Sequence, residues 1–101
     1  MKIEVYLKDR YSDAKGVFDT VTKETVVHKG SKVSTVLSTS PTFTGINKIK
    51  KLRMNTVEKG ILKEDISFKS PSSAANFVTG HSKNGYDTWK NKDGIILKEL
   101  L

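Results

Sequence analysis

Hydrophobic and polar positions alternate from the first residues of the chain. Ile3, Val5 and Leu7 fall on one face of an extended segment, and Lys2, Glu4, Tyr6 and Lys8 fall on the other, which predicts a half-buried β-strand. Asp9 to Asp13 is polar and reads as a turn. Gly16 to Val21 predicts a second strand, with Val17 and Val21 alternating against Phe18. Thr22-Lys23-Glu24 reads as a hairpin turn, and the β-branched run Thr25-Val26-Val27-His28 as a third strand that Gly30-Ser31 ends. Residues 32–44 are rich in Ser and Thr and contain Pro41, so they predict a long loop anchored by Val33, Val36, Leu37 and Phe43.

A change of period follows. From Ile46 to Lys59, the residues Ile46, Ile49, Leu52, Thr56 and Val57 share one arc at 100° per residue. Asn47, Lys48, Lys51, Asn55, Glu58 and Lys59 lie opposite, and Gly60 stands where a helix-ending glycine belongs. Ser40-Pro41 offers an alternative N-cap and first turn that would start this helix earlier. Ile61-Leu62, then Ile66 and Phe68, predict one or two short strands. Ser70 as N-cap, Pro71 as first helical residue and Gly80 as terminator frame a second helix with Ala74, Ala75, Phe77 and Val78 on its apolar side. Asn84-Gly85 is a turn signal. Tyr86 to Lys90 and Ile95 to Leu100 then read as strands around an Asn91–Gly94 turn, a closing β-hairpin. The expected fold class is α+β: a small single domain over residues 1–101 with N-terminal antiparallel strands, a central amphipathic helix, a short second helix and a C-terminal hairpin.

Charge sharpens this picture. The chain has 101 residues, with 18 Lys and Arg against 11 Asp and Glu, a net charge of +7. Such a surplus points to a polyanion partner or to solubility. There are no cysteines, which excludes disulfides, thiolate metal sites and a cysteine nucleophile and fits a cytoplasmic location. No run approaches the roughly 18 apolar residues of a membrane span, so no membrane partner is expected.

The run Ser70 to Lys90 carries a resemblance. Ser70-Pro71-Ser72-Ser73-Ala74-Ala75, then Gly80-His81-Ser82-Lys83-Asn84-Gly85, then Tyr86 and Trp89-Lys90, resembles a family of uncharacterised domains appended to GIY-YIG-type nucleases and restriction-like proteins. That family is in turn similar to the RAMA (restriction enzyme adenine methylase associated) domain. The family pattern has Trp after Asn-Gly, where this chain has Tyr86. Weaker similarity includes Ala14-Lys15-Gly16, Lys29-Gly30-Ser31, Leu52-Arg53, Gly60 and Asp65, a family-like core of about 14–100 whose specific part is 70–90. The resemblance implies association with nucleic acid in a restriction–modification setting, with sensing of base modification in the RAMA-like branch.

The candidate contact residues follow from both lines. Lys69, Ser70, Ser72 and Ser73 surround a helix N-terminus that could receive a phosphate; simple helix capping explains the serines equally. Lys83, Asn84, Lys90 and Lys92 flank the Asn84-Gly85 turn and could grip a backbone, or block strand addition at a solvated edge. Tyr86 and Trp89 could stack on bases, but a strand would put them on opposite faces and send one, Trp89 by size, to the core. Lys48 and Lys51, with Lys59, form a basic helix face. Arg53 falls inside the apolar arc, so it either snorkels or pairs with a buried carboxylate, for which Asp65 is the expected partner.

No catalytic residue, metal site or cofactor is expected. His28 and His81 lack metal-ligand spacing, Asp13-Ala14-Lys15 lies in an expected turn, and Gly45 has no phosphate-loop sequence after it. The expected function is a non-enzymatic nucleic-acid-binding module, with DNA first and RNA second as partners. The alternative is a regulatory domain that docks on a nuclease or methylase through residues 32–44 and a hairpin edge.

Overall fold

A computed structural model describes residues 1–35 and 45–101. Four strands form an antiparallel sheet in the order β1-β2-β3-β6: β1 Lys2–Lys8, β2 Asp13–Asp19, β3 Thr25–Val27 and β6 Ile66–Phe68. Between β3 and β6 in sequence come helix α1, Ile46–Thr56, and a two-stranded hairpin of β4, Val57–Glu58, and β5, Ile61–Leu62. Helix α2, Pro71–Thr79, and two single-turn helices, α3 at Gly85–Thr88 and α4 at Leu97–Leu100, complete the chain. The α+β class expected from the sequence is the fold observed.

The alternation in β1 sets the inner face. Val5 and Leu7 are buried and Ile3 packs against them. Their register partners across β2 are Gly16, Ala14 and Phe18, so the inward set of β2 is Ala14, Gly16 and Phe18. Val17 therefore faces outward, and Val21 lies 77% exposed in the turn after the strand. The expected second strand also begins earlier, at Asp13, which pairs with Lys8 of β1 and exchanges two backbone hydrogen bonds with Lys32. Lys32 bridges Ile61 as well, which attaches the β4–β5 hairpin to the edge of the structure.

Helix α1 is shorter than its hydrophobic period suggested. It ends at Thr56, and Val57 turns to extended backbone. Lys59 (φ 53°) and Gly60 (φ 80°) then supply two successive left-handed residues, the requirement of a tight hairpin turn. Gly60 thus closes β4 on β5 rather than ending the helix. The Ser40-Pro41 start and the anchors Val36, Leu37 and Phe43 lie outside the described residues.

Helix α2 follows its sequence signals closely. The Ser70 side chain accepts from Ser73 N at 3.1 Å, Pro71 occupies the first turn, and Gly80 ends the helix at φ 75°. Its inner side buries Ala74, Ala75, Phe77 and Val78, and Phe77 and Val78 together contribute roughly 3–6 kcal/mol of apolar burial. Phe77 packs on Phe68 of β6, ring centroids 5.2 Å apart.

Beyond α2 the expected strands are largely replaced. Tyr86 lies in α3, where Asn84 acts as a helix N-cap and not as a hairpin turn: its Oδ1 accepts from Tyr86 N at 3.0 Å. Ile95 to Leu100 does not run as a strand; Leu97–Leu100 coils into α4. The hairpin survives in contracted form, because the Asn91–Gly94 turn brings Lys90 against Ile96 as a single bridge. Lys90 also exchanges two backbone hydrogen bonds with Tyr6 (2.7 and 2.9 Å), closing the outer edge of β1.

Candidate nucleic-acid interface

Much of the Ser70–Lys90 signature is spent on joining the start of α2 to the α3 segment. Ser72 Oγ accepts from Gly85 N at 2.9 Å. Trp89 Nε1 donates to the Pro71 carbonyl at 3.0 Å. Asn76 Oδ1 accepts from Lys83 N at 2.7 Å, and the Asn84 carbonyl accepts from Thr88 Oγ1 at 2.8 Å. Gly85 presses its Cα against the Pro71 carbonyl group and Ser72 N, leaving no room for a side chain. A clasp of this kind explains the residue types by packing and backbone hydrogen bonding alone.

The clasp decides what several candidate residues can do. Trp89 is fully buried, so it is a core residue. Tyr86 is half-buried and meets the edge of Phe18 at 6.1 Å and 82°, so both rings serve the interior rather than opposite faces of a strand. The hydroxyls of Ser70 and Ser72 are engaged within the protein, and Ser73 Oγ accepts from Ser70 Oγ at 3.1 Å. Lys69 and Asn84 are exposed.

Arg53 does not pair with Asp65. Its guanidinium donates to the carbonyl oxygens of Phe77 (2.6 and 3.1 Å) and Val78 (3.3 Å). These are carbonyls of the last turn of α2, which the helix itself leaves unpaired and whose partial negative charge attracts a cation. Ser12 Oγ and Ser34 N also donate to Val78 O. Burial pushes the Arg53 pKa down to about 10, which leaves it charged at neutral pH. Asp65 instead accepts from Lys29 N at 2.7 Å and stands 3.7 Å from His28 Nδ1.

Lysines gather at the outer edge of β1. The Tyr6–Lys90 bridge brings the β1 end beside the segment 83–94 and leaves a cleft of about 450 Å³. Lys8, Lys83, Lys90 and Lys92 line it with Tyr6 and Asn91, and Asp9 is the carboxylate on its rim. All four lysines are exposed, and among the described residues none reaches a carboxylate within ion-pair distance. Asp9 is occupied by its own turn, where Oδ1 accepts from Tyr11 N and Ser12 N. Of the residues expected at the interface, Lys83 and Lys90 therefore come together, with Lys92.

Lys48 and Lys51 do not line the cleft; they are exposed on α1. Lys59, expected beside them, sits in the β4–β5 turn. Lys8, Tyr6 and Asn91 were not expected at the site. The polar side of the β1 alternation already carried Tyr6 and Lys8; their meeting with Lys90 is a long-range pairing that no local pattern encodes. Among the described residues, no group of three His, Asp or Glu side chains could hold a metal ion, and no helix is long and apolar enough to cross a membrane.

A family model described as a domain of unknown function (DUF4357) matches residues 5–101, from within β1 to the last residue. Comparison with curated proteins and with solved structures gave no significant match.

Proposed function

Because the chain belongs to the DUF4357 family, a domain of unknown function, its role must be read from its own surface, and we propose that it is a non-enzymatic nucleic-acid-binding module with DNA as the first candidate partner. The observation that carries this reading is the cleft at the β1 edge, where Lys8, Lys83, Lys90 and Lys92 converge without carboxylate partners among the described residues. Unpaired ammonium groups around one concavity repel one another, and a polyanion relieves that repulsion while releasing its own counterions. The surplus of 18 basic over 11 acidic residues adds a longer-range attraction. Lys48, Lys51 and Lys69 would extend the basic field beyond the cleft, and Asn84 would lie at the margin of the interface.

The resemblance of Ser70–Lys90 to a nuclease-appended family that is itself similar to the RAMA domain suggests a specific form of the reading, a module serving a restriction or modification system that senses a modified base. Fluorescence anisotropy against unmodified duplex, adenine-methylated duplex, single-stranded DNA and RNA, each titrated with salt, tests both levels. Binding whose logarithm falls linearly with the logarithm of salt supports the module, and a preference for the methylated duplex supports sensing. No retention of any nucleic acid at low salt would overturn the reading. The surface left would then be the apolar groove of about 440 Å³ bordered by Val33, Val57 and Met54 (84% exposed), which suits docking on a nuclease or methylase partner.

A further inference from the structure

Tyr6 occupies the centre of a basic row that runs across three chain segments. Its register partner on β2 is Lys15, and its bridge partner on the opposite edge is Lys90. Residues directly opposite one another in an antiparallel ladder project from the same face, so Lys15, Tyr6 and Lys90 stand side by side on the outer face of the sheet. Lys8, two residues along β1, shares that face. Helix α2 packs on the inner face, where Val5, Leu7, Phe18 and Phe77 are buried.

Among the described residues the Tyr6 ring pairs with no other ring and has no cation over its face. The paired rings are Phe18 with Tyr86 and Phe68 with Phe77, and the rings beneath cations are Tyr11, Phe18 and Phe77. Among the described residues its hydroxyl donates only to Glu4 Oε2, at 3.3 Å. Tyr6 is half-buried and lines the lysine cleft. Asn91 lines the same cleft, and its Oδ1 accepts from Asp93 N and Ile95 N at 3.0 and 2.9 Å, while its amide hydrogens meet no acceptor among the described residues.

We propose that this cleft takes single-stranded nucleic acid, with one unpaired base stacked on Tyr6 and the flanking phosphates held by Lys15, Lys90 and Lys8. This inference rests on the nucleic-acid reading above and deepens it. In a duplex the faces of the bases are covered by their neighbours, so only an unpaired base can lie flat on a tyrosine ring. The lysines on either side supply the electrostatic track that stacking alone lacks, and they read no sequence. The Asn91 amide is placed to donate to a carbonyl or ring nitrogen of the stacked base. Three carboxylates stand near this row: Glu4 beside the Tyr6 hydroxyl, Asp9 at the cleft, and Asp13 opposite Lys8 in the β1–β2 register, and each repels a phosphate on its own side.

The test compares wild type, Tyr6→Leu and Tyr6→Phe for binding to a labelled oligothymidylate and to a duplex of equal length, by anisotropy at one low salt concentration. Leucine keeps an apolar side chain on the strand and removes the ring; phenylalanine keeps the ring and removes only the hydroxyl. Far-ultraviolet circular dichroism and the emission of the buried Trp89 verify that each variant is folded. The expected result is a roughly tenfold weaker affinity of Tyr6→Leu for the oligothymidylate, with Tyr6→Phe within twofold of wild type and duplex affinity within twofold for all three. Equal single-strand affinity for wild type and Tyr6→Leu, or equal losses on both substrates, would overturn the stacking inference and leave the nucleic-acid reading standing. Wild type that binds neither substrate would overturn both.

Discussion

The segment from Lys83 to Lys92 belongs to two regions at once, and the two use it in opposite ways. Toward α2 it is a clasp: the Lys83 and Gly85 amides and the Trp89 indole each find a partner on α2 or at its start. Toward β1 it is a cleft wall: Lys83, Lys90 and Lys92 are exposed along it, and among the described residues no carboxylate lies within ion-pair distance of them. Neutral polar groups are buried here because each is hydrogen-bonded, whereas the charges stay at the surface because an interior ammonium needs a paired anion. The most distinctive residues of the chain therefore hold its shape. The least distinctive ones, its lysines, form the surface on which the proposed function rests.

If the two regions are separable, variants of the clasp should change stability. Trp89→Ala should cost most, about 4 kcal/mol in urea unfolding, because it empties the largest fully buried side chain. Trp89→Phe separates the ring from the hydrogen bond and should cost less, since the Pro71 carbonyl loses its indole donor but the aromatic packing is largely kept. Gly85→Ala should cost about 3 kcal/mol, because the new methyl overlaps backbone atoms that cannot rotate away. Arg53→Met, which leaves the Phe77 carbonyl without its charged donor, should cost about 2 kcal/mol. A Gly85→Ala protein as stable as wild type would mean that the clasp is not a constraint.

A smaller effect serves as a control outside both regions. Asp19 is the last residue of β2, and hydrogen bonds from Val21 N, then Thr22 N, of the turn that follows hold its carboxyl below the ordinary value of 3.8. A carboxyl pKa lowered in the folded state adds stability above 3.8 that is lost as pH falls through the folded value. Acid titration of wild type against Asp19→Asn should show a small extra loss of stability in wild type below pH 3.8, with nucleic-acid binding at neutral pH alike.

Local signals were legible where one residue acts on its near neighbours. Ser70, Pro71 and Gly80 framed α2 because capping acts over three or four residues. The alternation of β1 was plain because one of its faces is buried. The signals failed where distant segments decide. Val57 fits the helical arc of α1, but its pairing with Leu62 across the Lys59-Gly60 turn draws it into a strand. The residues from Tyr86 to Leu100 suit a hairpin by composition, yet Gly85 packed on Pro71 and Trp89 sunk beneath α2 impose a helical turn first. Arg53 stands out in the sequence as a cation in an apolar arc, and the structure half-buries it. Its partner was missed because backbone carbonyls at a helix end have no signature in side-chain sequence. Lys83 and Lys90 were legible as basic residues, but the cleft they share with Lys8 exists only through the Tyr6–Lys90 bridge.

The most direct test of this division of labour replaces Lys83, Lys90 and Lys92 together by alanine. Stability and the salt dependence of DNA binding are then measured on the same preparation. Exposed lysines without ion partners should leave stability within about 0.5 kcal/mol per site, and the slope of log affinity on log salt should become shallower by about 0.9 for each phosphate that is no longer neutralised. An unchanged slope, with wild-type stability, would contradict the account and move the polyanion interface away from the cleft.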